Sequence, residues 1–386
     1  MFKRDLFSPE HDLFRETVRK FIVEHVTPYH DQWEEDGKIS REAWLAAGEH
    51  GLLCPKMPEE FGGAGADFLY SAIIIEELAY AGTSGPGFAL HSDIVAPYII
   101  NYGTPEQQQR WLPKMLTGET IGAIAMTEPV AGSDLQSIRT AAVREGDEFV
   151  ISGQKVFITN GQMADLVIVV CKTDLQAGSK GVSLIVVERG AKGFRRGRNL
   201  KKIGMKAQDT SELFFDDVRV PVTNLLGGEG RGFVNLMEQL PQERLMQAVR
   251  CAAMIEAGLD WVVEYTGDRK AFGRTISAFQ NTRFTLAEVK SQSVMMRVFV
   301  DKCIEMHVAG ELDAVDAAIA KMLSSEMMCE LLDDCLQLFG GNGYMWEYPI
   351  GRAWVDGRMN RIAGGTGEIM REIIGRSMFG KPKQAS

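Results

Sequence analysis

The spacing of apolar residues changes twice along this 386-residue chain. In the first third, Phe14, Val18, Phe21, Ile22 and Val26 recur at helical intervals with charges between them. Residues 71–80 and 106–116 repeat the pattern; Thr104 is placed to cap the second stretch and Pro105 to open it. Between helices, residues 57–66 (MPEEFGGAGA) read as a glycine-rich loop. Near residue 120 the texture turns to short Val-, Ile- and Phe-rich segments divided by Gly, Asp and Asn: 121–126, 148–152, 155–159, 166–171, 182–187 and 212–215. Strands that follow one another without helices predict an antiparallel sandwich or barrel, not a doubly wound nucleotide-binding sheet. From Gly232 the helical period returns and holds through 237–265, 279–308 and 313–339. The expected architecture is mostly α with a β middle, in three domains at 1–120, 121–230 and 231–386. The length agrees, since single cores stop growing at roughly 250–300 residues.

Composition removes several classes of function. The net charge of -10 opposes bulk nucleic-acid binding. The longest apolar stretches are strand-sized, too short for a membrane span. The first residues, MFKRDLFSPEHDLF, carry charge where a signal peptide needs an apolar run and acids that a transit peptide avoids. The expectation is a cytoplasmic, bacterial-type protein with no targeting segment. Its six scattered cysteines contain no CxxC pair, which fits a reduced compartment. No two of the six histidines stand three or four apart, so no metal site is expected. Neither GxxxxGK[ST] nor GxSxG occurs, and residues 227–233 (GGEGRGF) are out of register for GxGxxG and read as a turn into a helix.

Three segments are less ordinary. Residues 125–134 (AMTEPVAGSD) leave a strand with hydroxyls, acids, Pro and Gly packed together; they fit either an elaborate turn or a loop offering N–H groups to a polar ring or phosphate. In 153–161 (GQKVFITNG), Phe157 and Thr159 share one strand face, as a half-buried edge strand or as a plane and a hydroxyl aimed at one object. Residues 339–344 (FGGNGY) and 364–368 (GGTGE) bring bare backbone between strong helices. A helix C-cap accounts for one glycine in each cluster, not for all. Glycine overall is in excess, 40 residues, and concentrates in these loops.

In this order and at these separations, together with 269–280 (RKAFGRTISAFQ), the segments resemble the acyl-CoA dehydrogenases, a family of FAD flavoproteins. The resemblance covers nearly the whole chain. It implies an N-terminal α-helical domain, a middle β-barrel and a C-terminal four-helix bundle, usually in a homotetramer built as a dimer of dimers. It further implies that Ala125, Met126, Thr127 and Ser133 contact the flavin, with Ser133 also near substrate. Phe157, where many members carry Trp, packs on the ring, Ile158 lies beside it, and the Thr159 hydroxyl reaches near N5. Arg269, Phe272, Phe279 and Gln280 come from a neighbouring subunit, joined by Gln337, Gly340 and Gly341, while Thr366 and Glu368 close the cofactor site.

The family reaction is α,β-desaturation of an acyl-CoA thioester: a carboxylate removes the α-proton while a hydride leaves the β-carbon for the flavin. Many members carry the catalytic Glu directly before a Gly-Thr pair. Here that place is Gly364, followed by Gly365 and Thr366. The long-chain and isovaleryl branches instead carry the base in a Glu-Arg-Leu segment, and this chain reads Leu240-Pro-Gln-Glu243-Arg244-Leu245. The resemblance therefore implies Glu243 as the base, with Arg244 and Gly365 toward the substrate. LPQERL, AQDTSELFFDDVRVP, RVFVDKCIEMH and GYMWEYPI bring it nearest the long-chain branch. A long-chain or branched acyl-CoA is the expected substrate, including isovaleryl-like or citronellyl-like thioesters of amino-acid or terpenoid catabolism, and electron-transfer flavoprotein the expected acceptor. An oxygen-using oxidase, usually a much longer chain, and a catalytically silent binding protein are the alternatives. The basic run in 190–208 (Lys192, Arg195, Arg196, Arg198, Lys201, Lys202, Lys206) reads as a solvated loop, or as a contact for CoA.

Overall fold

The computed structural model describes residues 3–379. Six helices come first: α1 (Pro9–His25), α2 (His30–Asp36), α3 (Arg41–Glu49), α4 (Phe68–Tyr80), α5 (Ala96–Tyr102) and α6 (Pro105–Leu116). Strands follow: β1 (Gly122–Ala125), β2 (Ala141–Glu145), β3 (Glu148–Thr159), β4 (Leu166–Lys172), β5 (Val182–Glu188), β6 (Phe194–Asn199), β7 (Thr210–Pro221) and β8 (Leu225–Leu226). Helix α7 (Gly232–Asp268), a small hairpin of β9 (Lys270–Ala271) and β10 (Arg274–Thr275), and helices α8 (Gln280–Val308), α9 (Ala314–Phe339), α10 (Pro349–Gly357) and α11 (Gly367–Phe379) complete the chain. Thr104 caps α6 as expected, in a reciprocal box with Gln107. Asp313 caps α9 through the backbone N–H groups of Val315 and Asp316.

The middle strands form one sheet in the order β6-β7-β3-β2-β4-β5-β8, with β1 also paired to β4. Leu166, Ile168 and Val170 of β4 enter one core with α5 and α6, while Val167, Val169 and Cys171 enter another inside the sheet region. A strand buried on both faces needs a continuous apolar run, which is what this segment shows. The antiparallel expectation fails at two pairings: β1 runs parallel to β4, and β2 meets β4 in parallel at Ala141 and Lys172, because neither is joined to β4 by a hairpin. The predicted strands 148–152 and 155–159 are one strand interrupted by bulges. Gly153 marks the first bulge; a Cβ there would sit 2.5 Å from the Thr140 hydroxyl. Residues 190–208 are not a simple loop. They include β6, a charged edge strand whose FRRGRN sequence lacks the apolar alternation that would have disclosed it. Arg196 donates to the carbonyls of Gly161 and Ala164, and Arg195 and Arg198 pair with Asp216 and Glu212.

Helix α4 joins the first region to the last. Phe68, Ala72 and Ile75 pack with α7, α8 and α9, whereas Ile73, Ile74 and Leu78 pack against the N-terminal helices. On the same helix Glu76 is wholly buried among Arg4, Arg15 and Arg297, with N···O distances of 2.7, 2.9 and 2.7 Å. Arg297 also reaches Glu256 at 2.5 Å. Burial pushes the Glu76 carboxyl upward, but Arg297 and Arg4 overcome it and hold it at about 2. Removing one partner of such a group leaves charge uncompensated in the interior. Arg297→Met is therefore expected to lower the unfolding free energy by about 3 kcal/mol, read as a reduced denaturant midpoint at unchanged slope. A loss below about 1 kcal/mol, the worth of an exposed pair, would mean that Arg4 and Arg15 suffice.

Candidate active site

Two groups of predicted residues border the core shared by α5, the sheet and the start of α7: Met126 packs against it, and its Tyr98 bonds Glu243. The first is the loop after β1 against β3. Lys155, wholly buried, donates to the Met126 carbonyl (2.9 Å) and to Glu128 (2.8 Å), and the Val156 N–H donates to the Thr127 carbonyl (2.9 Å). Glu128 also accepts from the backbone N–H groups of Arg139 and Thr140. Burial lowers the Lys155 ammonium and Glu128 opposes it. This internal ion pair fixes the loop to the strand with Ala125 buried, Met126 and Thr127 half-buried, and Ser133 exposed. At the second bulge, Phe157 has φ 61, a left-handed conformation that a bulky residue adopts only when its surroundings hold it there. Its ring stands 65% exposed while Ile158 turns inward and Thr159 is half-buried. An exposed aromatic plane beside two half-buried threonines suits a flat heteroaromatic ring.

The second group is on α7. Glu243 and Arg244 are both buried, at 7% and 5% exposure. Burial raises the Glu243 carboxyl from 4.5 to about 7, against the lowering effects of a hydrogen bond from Tyr98 and of Arg244. One turn further, Gln247 lies against Gly364: a Cβ at 364 would fall 2.2 Å from the Gln247 amide nitrogen, and Gly364 has φ +67. Lys321 of α9, wholly buried, donates to the Gly365 carbonyl at 2.5 Å, and burial brings its ammonium down to about 8. Thr366 accepts from the Ile369 N–H and so starts α11, with Glu368 exposed in the first turn. Helix α7, the 364–366 loop and α9 thus meet at Gln247, Gly364 and Gly365, one helical turn from Glu243.

The remaining predicted residues form a separate, open surface at the far end of the C-terminal helices. The β9–β10 turn, with positive φ at Phe272 and Gly273, leaves Phe272 95% exposed. Phe279 is half-buried under the Arg274 guanidinium, and Arg269 and Gln280 are exposed. Gln337, Gly340 and Gly341 are exposed as well, and added Cβ atoms at either glycine would meet nothing within 4 Å. No hydrogen bond among the described residues links this surface to Met126–Thr159 or Glu243. Sequence reasoning missed Tyr98, Lys155, Glu128, Gln247 and Lys321. Of these, only the Lys and Glu within otherwise apolar strand flanks carried a local signal. One trio of described residues, His30, Asp31 and Glu34, gathers ligand-type atoms within 4.8 Å. His30 Nε2 already accepts from the N–H groups of Ser84 and Gly85, and Glu34 from the Trp346 indole, so these atoms serve the protein itself. No helix among the described residues is long and apolar enough to cross a membrane.

Comparison with known proteins identifies the class. Family models of the acyl-CoA dehydrogenase N-terminal, middle and C-terminal domains match residues 8–119, 123–218 and 230–379. The chain belongs to the acyl-CoA dehydrogenase family and is an oxidoreductase. It is 52% identical to the mitochondrial long-chain specific acyl-CoA dehydrogenase of Rattus norvegicus, over 97% of this chain and 88% of that protein. It is 36% identical to the mitochondrial isovaleryl-CoA dehydrogenase of Oryza sativa, over 97% and 92%. A crystal structure of an acyl-CoA dehydrogenase from Geobacillus kaustophilus superimposes with a TM-score of 0.96 at 48% identity, covering 97% of this chain and all of that one.

The carboxyl state gives a direct test. Because the folded Glu243 carboxyl sits near 7 and the unfolded one near 4.5, its neutral form is favoured by folding, so stability is retained below 4.5 and lost as pH rises through 7. Glu243→Gln, which keeps shape and removes the ionisation, is expected to exceed the parent in stability by on the order of 3 kcal/mol at pH 8 and to match it near pH 4.5. Calorimetric scans at both pH values decide this; a constant difference would refute the neutral buried acid.

Proposed function

We propose that the chain catalyses FAD-dependent α,β-dehydrogenation of a long-chain or branched acyl-CoA to the trans-2-enoyl-CoA, with electron-transfer flavoprotein as acceptor. The observation that carries this reading is a desolvated carboxyl at Glu243, one helical turn before Gln247, which occupies the space opposite the alternative base position at Gly364. The α-proton of a thioester is weakly acidic, and a base poised near neutrality in a dry site is the protein's contribution to removing it. In the first step Glu243 takes the α-proton onto its carboxylate. Bound FAD supplies the hydride acceptor for the hydrogen of the β-carbon. Met126, Thr127, Phe157 and Thr159 would hold the flavin ring. Arg269, Phe272, Phe279, Gln280, Gln337, Gly340 and Gly341 would meet the pyrophosphate and adenosine of a flavin shared with a neighbouring subunit, which is the reason to expect a homotetramer. Arg244, whose Nε has no internal partner, faces the substrate.

The higher identity to a long-chain enzyme favours long acyl chains, and the likeness to isovaleryl-CoA dehydrogenases keeps branched chains as the second reading. Glu243→Gln is expected to retain the yellow chromophore yet lose, by at least about 1,000-fold, anaerobic flavin bleaching by straight and methyl-branched acyl-CoAs. Exchange of the substrate α-proton with heavy water should disappear with it. Full bleaching by this variant would refute the base; a turnover profile over the same thioesters chooses between long and branched chains. Adding Gly364→Glu to Glu243→Gln is expected not to restore bleaching, because the new side chain starts inside Gln247 from a left-handed backbone.

A further inference from the structure

Glu243 is held by a residue from another part of the chain. Tyr98 of α5 is fully buried, and its hydroxyl donates to Glu243 Oε1 at 3.1 Å; no other hydrogen bond among the described residues reaches the Glu243 carboxyl. One turn on, the Tyr102 hydroxyl donates to Glu238 Oε2 at 2.8 Å and accepts from Gln239 at 3.0 Å. The two helices are thus joined by two rungs, one inside and one at the surface. The segment before α5 is seated on the same helix. Residues Leu90–Val95 form a π-helical turn whose Asp93 carbonyl accepts from Gln242 at 2.6 Å, next in sequence to Glu243. His91 of that turn spans to the sheet, bonded to the Met115 carbonyl and accepting from the Gly122 N–H. Tyr98 is therefore held on a braced element, and its hydroxyl has one carboxylate oxygen to serve.

We propose that Tyr98 is the positioning residue of the base: it tethers Oε1 of Glu243 and leaves Oε2 as the oxygen that accepts the α-proton. The proposal rests on Glu243 being the base. Its consequence is electrostatic as well as geometric. A hydroxyl donating to a carboxylate favours the charged form, opposing the effect of burial, so Tyr98 keeps the base ionised at lower pH than its dry surroundings would allow. The other groups around it are few. Arg244 is on the same helix, with Lys321 of α9 acting on Arg244 in turn, and Tyr102 lies behind Tyr98. Beyond Gln242 stand the buried Asp93 carboxyl and His307 of α8, which bonds the Gln242 amide at 3.1 Å. Phenylalanine at 98 changes none of these charges.

The test uses the holoenzyme in single-turnover anaerobic bleaching with a long-chain acyl-CoA across pH. Tyr98→Phe, which removes one oxygen from an apolar setting, is expected to keep the yellow chromophore and to move the acid limb of bleaching upward by about one pH unit. The rate would then fall about tenfold at pH 6 and hardly at all at pH 9. Replacing Tyr98 with 3-fluorotyrosine, a more acidic donor, should move the limb the other way. An acid limb unmoved in both proteins overturns the proposal, even if Tyr98→Phe is slower at every pH, since a purely structural tyrosine would produce that uniform loss. Glu243→Gln run alongside separates the two ideas: if that variant bleaches normally the base itself is misassigned, whereas an inactive Glu243→Gln with an unshifted Tyr98→Phe limb removes only the role of Tyr98.

Discussion

The carboxylate of Glu76 has no access to water, and three guanidiniums from three separate stretches of chain surround it. Charge buried at this depth is tolerated only when it is paired and its remaining lone pairs are hydrogen-bonded, so the N-terminal segment, α1, α4 and α8 are obliged to meet at one point. That obligation sets α4 on the C-terminal helices, and α4 in turn fixes how α7 runs. Glu243 shows the reverse use of the same chemistry. It is buried on α7 with one tyrosine hydroxyl and one neighbouring arginine, and its carboxyl rises to about 7 where Glu76 falls to about 2. Two buried glutamates are separated by several pH units chiefly through their partners, one holding helices together and the other proposed as the base.

Functional sites give up stability for reactivity, and the proposed site here carries such costs in more than one place. A carboxyl forced toward neutrality, a phenylalanine in a left-handed bulge, and an arginine with an unpartnered Nε are each unfavourable alone. Two of them have a bonded neighbour close by: the Lys155–Glu128 pair holds the loop against the strand of Phe157, and the Tyr98 hydroxyl bonds Glu243.

Much of this was legible in the chain itself. The helical periods, the cap at Thr104, the strand-rich middle and the Glu243–Arg244 segment are all local patterns, and local patterns are what a linear sequence displays. The single strand Glu148–Thr159 looks like two in sequence because Gly153 punctuates a strand and a turn alike. Strand β6 leaves no pattern in the sequence because an exposed edge needs no buried face. The contacts that tune the site join residues far apart: Tyr98 and Glu243, Gln247 and Gly364, Arg297 and Glu76. No spacing rule reaches across such separations, and each residue alone has an ordinary place on its own helix.

Helix α7 contributes Leu236 to the core that contains the β4 and β5 faces, and Leu245 through Val262 to the core of the C-terminal helices, while α4 divides itself between that same C-terminal core and the core of the N-terminal helices. A helix owned by two cores cannot melt out of one of them and stay folded in the other. The three regions distinguishable in sequence are consequently not three thermodynamic units. Heat or denaturant should dissolve them in a single cooperative event, and a protease should find no stable fragment to liberate at their borders.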